Sequence, residues 1–280
     1  MQNKTEEKKS SGSTVLADDG FYFGIGAFET IAVEEGIPQL LAWHLERLRD
    51  SLAFFGIDQS VEEQEVLAYL NACPQSEEKQ HGALKITVTA QNKLFGLRKN
   101  TYSEEQYQKG FRLGFSEIRR NETSPLTYHK TLGIADNIME KRNAKKSGLD
   151  EKIFLNQKGQ ISEGCTTNIF FIQDDKLVTP PVSSGMLPGV MRRYVIKEAG
   201  RRGVLLEEKE LYPEDIEFPE GYFGLLVSGL FYAQSHDLRN EQKRMFREMK
   251  RIADNTDYSE YEETNQMQET IRMLQRIYGY

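Results

Sequence analysis

The sequence predicts a two-domain fold of mixed helices and strands, α+β to α/β in class. Three observations lead to it. Strand-like and helix-like patterns alternate along most of the chain. The patterning lapses at RNETSPLTY (120–128), between two patterned halves. A length of 280 residues accommodates one large domain or two of ordinary size.

The elements follow in order. Residues 1–14 are polar, without apolar periodicity, and are expected to form a disordered tail. Gly20–Glu34 is aromatic and β-branched, broken by Gly24 and Gly26; it reads as strand, bend, strand. Gly36 marks a turn before a second strand, Ile37–Trp43. Leu45, Leu48, Leu52 and Phe55 recur at i, i+3, i+7, i+10, one face of a helix that Gly56 closes. A weaker helix covers 61–72. In 83–90, Leu84, Ile86 and Val88 alternate with Lys85, Thr87 and Thr89, as in a half-buried strand. Phe111–Phe115 reads as another strand.

Beyond the break, 134–147 reads as a helix ended by Gly148. Short strands are expected at 152–155, 167–172 and 176–179. Pro188 opens a helix running to about Gly200, because proline lacks only an N–H that a first turn leaves unpaired. Strands follow at 204–206 and 224–227. Met267, Ile271, Leu274 and Tyr278 place an amphipathic helix in the charged last forty residues. The resulting division is a tail (1–14), an N-terminal α/β domain (15–120), a linker (121–129), a C-terminal α/β domain (130–239) and a helical extension (240–280). Loops 91–104 and 180–187 are expected to shape any pocket.

Thirty-six basic against 43 acidic residues give a net charge of −7. That argues against a nucleic-acid partner, whose phosphates need a basic face. No run approaches the ~18 apolar residues of a membrane span, and MQNKTEEKKSSGS has no apolar core of a secretory signal. Cys73 and Cys165 make neither a disulfide framework nor a zinc site. A cytoplasmic protein with no metal is expected.

Four places carry candidate chemistry. Arg47 lies in HLERLRDS, Lys130 in LTYHKTLGIADN and Glu163 in ISEGCTTNIFF. Gly189 and Val190 open a helix in MLPGVMRR. Singly, each has an ordinary explanation: a solvated helix charge, a loop lysine, a turn acid, a plain helix start. As an ordered set they match the needs of pyridoxal phosphate. Its phosphate favours an arginine and a helix N-terminus. Its aldehyde needs a lysine, and its ring nitrogen a carboxylate.

These segments resemble those of the fold-type IV pyridoxal-phosphate enzymes, the class-IV aminotransferase family. FGIGAFETI resembles the family's Phe-Glu strand, HLERL its phosphate-arginine helix, HKTL with the later DN its lysine segment. ISEGCTTNIFF is similar to its glutamate signature and LPGVMRR to its phosphate turn. The resemblance implies that Lys130 forms the Schiff base and acts as catalyst. It implies that Arg47, Glu163, Thr166, Thr167, Gly189, Val190, Met191 and Ser228 (in VSGL) bind the cofactor. Thr30 is implied as a proton relay, and Phe28, Lys85 and His129 as substrate contacts. A small amino substrate and a homodimer are implied too.

Within the family, TVTAQNKLFGLRKN lacks the Arg-x-His pair of D-amino-acid aminotransferases. ALKITVTA lacks the Tyr-x-Arg-Pro of branched-chain enzymes. Lys85 and Thr30 resemble the 4-amino-4-deoxychorismate lyase branch instead, with a branched-chain or D-amino-acid aminotransferase as the alternative. Gly133 and Ile134 stand where the family often has Asn and Tyr.

Overall fold

The computed structural model describes residues 14–100, 111–173, 176–216, 224–227 and 231–233. A short helix α1 (Asp19–Phe23) precedes strand β1 (Ala27–Glu34). The predicted first strand is thus a helical turn. Local capping overrides the β preference of Phe21-Tyr22-Phe23: Asp18 accepts from the Gly20 and Phe21 N–H groups, and Gly24, at φ 72°, ends the turn. The predicted strand 37–43 also shrinks, to β2 (Ile37–Pro38). Leu40 takes a left-handed conformation there, and helix α2 (Leu41–Phe54) begins.

After helices α3 (Glu63–Ala72) and α4 (Glu77–Gln80) come β3 (His81–Val88) and β4 (Lys93–Lys99). The sheet order is β2-β1-β3-β4, antiparallel throughout. The strand β4 replaces much of the expected loop 91–104; Phe95 and Leu97 alternate onto the core. That core joins Ile31, Val33, Leu84 and Ile86 to Leu45, Leu48 and Leu52 of α2 and to Val66 and Leu70 of α3. Strand periodicity therefore sends Phe28, Thr30, Lys85 and Thr87 to the other face. There Phe28 pairs with Thr87 and Thr30 with Lys85 across β1 and β3.

In the second half β5 (Leu113–Arg120) pairs in parallel with β6 (Glu151–Asn156), which pairs antiparallel with β7 (Ile161–Gly164). The expected strand 111–115 therefore extends to Arg120, and its sheet is that of the residues after 150. We propose the boundary between the halves ahead of β5 rather than at 120. A five-stranded sheet has the order β10-β9-β8-β11-β12, with β8 at Asn168–Gln173, β9 at Lys176–Thr179 and β10 at Leu206–Glu208. Strands β11 (Gly224–Val227) and β12 (Phe231–Ala233) complete it. The two sheets share a core including Ile153, Ile161, Ile169, Phe171 and Val178. Helices α5 (Ala135–Lys146) and α6 (Val190–Arg201) match the predicted ones within two residues.

The halves are stitched by backbone. Phe28 N–H donates to the Lys130 carbonyl at 3.0 Å, and Leu132 N–H to that of Gly26 at 3.0 Å. Thr131 thereby bridges to Ala27, which brings Lys130 to the start of β1. The tail through residue 13, Ser228 and the helix expected at 267–278 lie outside the described residues. Among the described residues no helix is long and apolar enough to cross a membrane.

Candidate active site

The Lys130 amine lies 4.8 Å from the centre of the Phe28 ring, and that of Lys85 lies 5.1 Å from it. Phe28 thus gathers two cations on the open face of the sheet. Lys130 is half-buried, and its backbone N–H donates to the Ser51 hydroxyl at 3.1 Å, which itself donates to the Arg47 carbonyl. Burial, then the nearby Arg47 guanidinium, pushes the Lys130 amine down to about 8, against the pull of Glu29 and Glu163. A lysine of this kind holds its neutral, nucleophilic form at a lower pH than an ordinary one. Acylation of surface amines followed by peptide mapping should find the Lys130 rate rising with a midpoint near pH 8. A midpoint near the usual ~10.4 would contradict this reading.

Arg47 lies on α2, the helix that Lys130 touches through Ser51. Its Nε and Nη2 donate to the two carboxylate oxygens of Glu29, each at 2.7 Å. His44 Nδ1 lies 2.7 Å from the same carboxylate. Glu29 is fully buried. Burial alone would raise its pKa, but Arg47 and His44 hold it down at about 2. Burial lowers the pKa of His44, with Glu29 opposing. The remaining Arg47 nitrogen, Nη1, points to the Pro188 carbonyl at 3.4 Å, so the fork reaches from the first half to the start of α6.

Glu163 is the penultimate residue of β7 and lies in the interior. One carboxylate oxygen accepts from Arg120 Nη2 at 2.8 Å and the other from the Leu187 N–H at 3.1 Å. Burial raises its pKa, and Arg120 is the main force against that. Arg120 is fixed in turn by the Phe154 ring, 4.3 Å away, and by Asn137 at 3.2 Å. Asn137 also donates to the Cys165 carbonyl, which links α5 to the glutamate segment. The Cys165 thiol, pushed up to about 12 chiefly by burial, is no nucleophile.

The first turn of α6 leaves its backbone N–H groups without a side-chain cap, as an anion site requires, and its N-cap is Gly189. A Cβ on Gly189 would lie 1.9 Å from Oδ1 of Asn168, so only glycine lets the chain run this close. Asn168 anchors the turn by donating to the Leu187 carbonyl at 2.9 Å. The buried Thr167 hydroxyl has no hydrogen-bond partner among the described residues.

The predicted residues divide accordingly. Phe28, Lys85, Lys130 and Thr30 share one face, whereas Glu163, Thr167, Gly189 and Val190 surround the start of α6. Thr166 is exposed, and Met191 is half-buried on the first turn of α6. The His129 ring is occupied in stacking on Phe54 at 4.2 Å. Three residues without a predicted role hold the site: Glu29, Arg120 and Ser51. The signal for Glu29 was present, a single carboxylate on the apolar face of an alternating strand. Arg120 had no such signal, because its partner is 43 residues away.

The family model described as amino-transferase class IV matches residues 26–224. The chain belongs to that family. It is a pyridoxal-phosphate-dependent enzyme of the class. It is 30% identical to an aminodeoxychorismate lyase of Bacillus subtilis over 207 residues, 68% of this chain and 70% of that one. It is 26% identical to a D-alanine aminotransferase of Bacillus licheniformis over 220 residues, 75% and 77% of the two chains. A fold IV-transaminase structure from Curtobacterium pusillum superposes with a TM-score of 0.69 at 25% identity, covering 85% of this chain and 89% of that one. The residues present fit the cofactor. A half-buried lysine, an interior carboxylate, an uncapped helix start over a glycine cradle and an unpartnered hydroxyl suit its carbonyl, ring nitrogen and phosphate.

Proposed function

We propose that the enzyme is a 4-amino-4-deoxychorismate lyase, which splits its substrate into 4-aminobenzoate and pyruvate for folate synthesis. The observation that carries this reading is the open face of β1 and β3. It sets a cation, Lys85, and a hydroxyl, Thr30, directly opposite each other, with Lys130 reaching the same Phe28 ring. The substrate carries carboxylates, which Lys85 attracts. The similarity to the Bacillus subtilis lyase supports the same branch.

When bound, the cofactor supplies a carbonyl carbon that amines attack and a ring that accepts carbanion charge. Lys130 would hold it through that carbon. Its neutral amine would take a proton from the substrate carbon that bears the nitrogen. Thr30 hands a proton toward the departing enolpyruvyl group, and the remaining ring becomes aromatic. Glu163, held in place by Arg120, would pair with the ring nitrogen. Arg47, Thr167 and the N–H groups of Val190 and Met191 would hold the phosphate, with Thr166 and Ser228 as further polar contacts. His129, stacked on Phe54, borders the pocket.

An aminotransferase acting on a branched-chain or D-amino acid is the second reading, favoured by the D-alanine aminotransferase match. Incubation with 4-amino-4-deoxychorismate and no amino acceptor separates them. Equal amounts of 4-aminobenzoate and pyruvate are expected. Glutamate formation from an amino acid and 2-oxoglutarate, with no 4-aminobenzoate, would overturn the lyase reading.

We further infer a homodimer in the cytoplasm. Phe21, Tyr22 and Phe23 of α1 are 69%, 64% and 75% exposed beside the half-exposed Val15 and Leu16, an apolar patch suited to a second copy. The free thiols suit a reducing compartment.

A further inference from the structure

We propose that Trp43, Glu46, Arg193 and Lys197 form a clamp between the two halves that sets the width of the phosphate cradle. The inference rests on the reading of Arg47 and the start of α6 as the cradle. Those two elements come from different halves. The direct link between them is the 3.4 Å approach of Arg47 Nη1 to the Pro188 carbonyl, too long to fix their spacing.

Next to it lies a stronger set of contacts. Arg193 Nη1 bonds Glu46 Oε2 at 2.5 Å. The same guanidinium lies over the Trp43 ring, 4.4 Å from its centre, and the Lys197 amine sits 5.5 Å from that centre. On α2, Trp43, Glu46 and Arg47 stand at i, i+3 and i+4. On α6, Gly189, Arg193 and Lys197 stand at i, i+4 and i+8. Each series is one helical face. The faces that carry Arg47 and Gly189 are therefore the faces that the clamp joins, with Trp43 one turn before Arg47 and Arg193 one turn after Gly189.

An ion pair with both partners half-exposed contributes little alone. Two cations on one indole add an attraction that draws the helices together. Phosphate recognition by a fork and a helix start depends on sub-ångström placement. These four side chains are thus positioning residues, with no contact to a ligand of their own.

The test compares the affinity of the full-length apo protein for pyridoxal phosphate with that for pyridoxal, which lacks the phosphate. The dissociation constant for pyridoxal divided by that for pyridoxal phosphate isolates the phosphate's contribution. Arg47→Ala should reduce the ratio by ~10-fold or more. Trp43→Ala and Arg193→Gln should each reduce it by about 5-fold, leaving pyridoxal binding nearly unchanged. Trp43→Phe, which keeps a ring, should restore most of it. A plain loss of packing would weaken both ligands alike. If Arg47→Ala leaves the ratio intact, the cradle reading falls, and the clamp with it. If Arg47→Ala lowers the ratio but Trp43→Ala and Arg193→Gln do not, the clamp alone is overturned. Arg193, half-exposed, supplies a variant that folds even where Trp43→Ala does not.

Discussion

Lys130→Met is expected to lower turnover by at least ~10⁴-fold, because one amine serves as both covalent anchor and general base. The same substitution should make the apo protein more stable at neutral pH. An unfolded lysine keeps its proton up to about 10.5, whereas Lys130 in the fold releases it at about 8. Below pH 8 the fold therefore carries a charge its surroundings disfavour, and the penalty disappears as pH rises from 8 to 10.5. The shift and the partial exposure of the amine together suggest a gain of about 2 kcal/mol for Lys130→Met at pH 7. Urea melts across this range measure it. A variant less stable than the parent at pH 7, or a gain independent of pH, would contradict the assigned environment.

Removal of the Glu29 carboxylate has the largest expected effect on stability. The group is fully buried and receives two Arg47 donors and His44. Glu29→Ala strands a guanidinium in the interior, a change that typically destabilises by about 3–5 kcal/mol. Glu29→Gln keeps the shape and should cost less, but it removes a pH signature. The folded carboxylate stays ionised down to about 2 against an ordinary 4.5. Its stabilisation is therefore complete above about 4.5 and is lost as pH falls toward 2. Acid melts of Glu29→Gln should lack the part of the slope that this group supplies. Equal melts for parent and variant would show that the carboxylate does not hold Arg47.

Much of this was legible in the chain. The 3.6-residue stripe of α2 and the alternation of β3 follow from which residues must leave water, and both elements occur where the pattern puts them. The motif residues Arg47, Lys130, Glu163 and Gly189 fall around two connected surfaces. What was not legible has physical causes. The helix α1 depends on one carboxylate and one left-handed glycine, which outweigh three aromatic residues with strand preference. In β4 the core-facing pair Phe95 and Leu97 is flanked by lysine, glycine and arginine, so that the strand reads as a loop. Glu29 and Arg120 take their meaning from partners 18 and 43 residues away, and only the folded chain pairs them.

The central claim is that Lys130 is the residue that bonds the cofactor. Borohydride reduction of the holoenzyme followed by peptide mapping tests it most directly. One phosphopyridoxyl group per chain, on the peptide containing Lys130, is the predicted result. A label on another lysine, or none on a protein that binds the cofactor, would contradict the account.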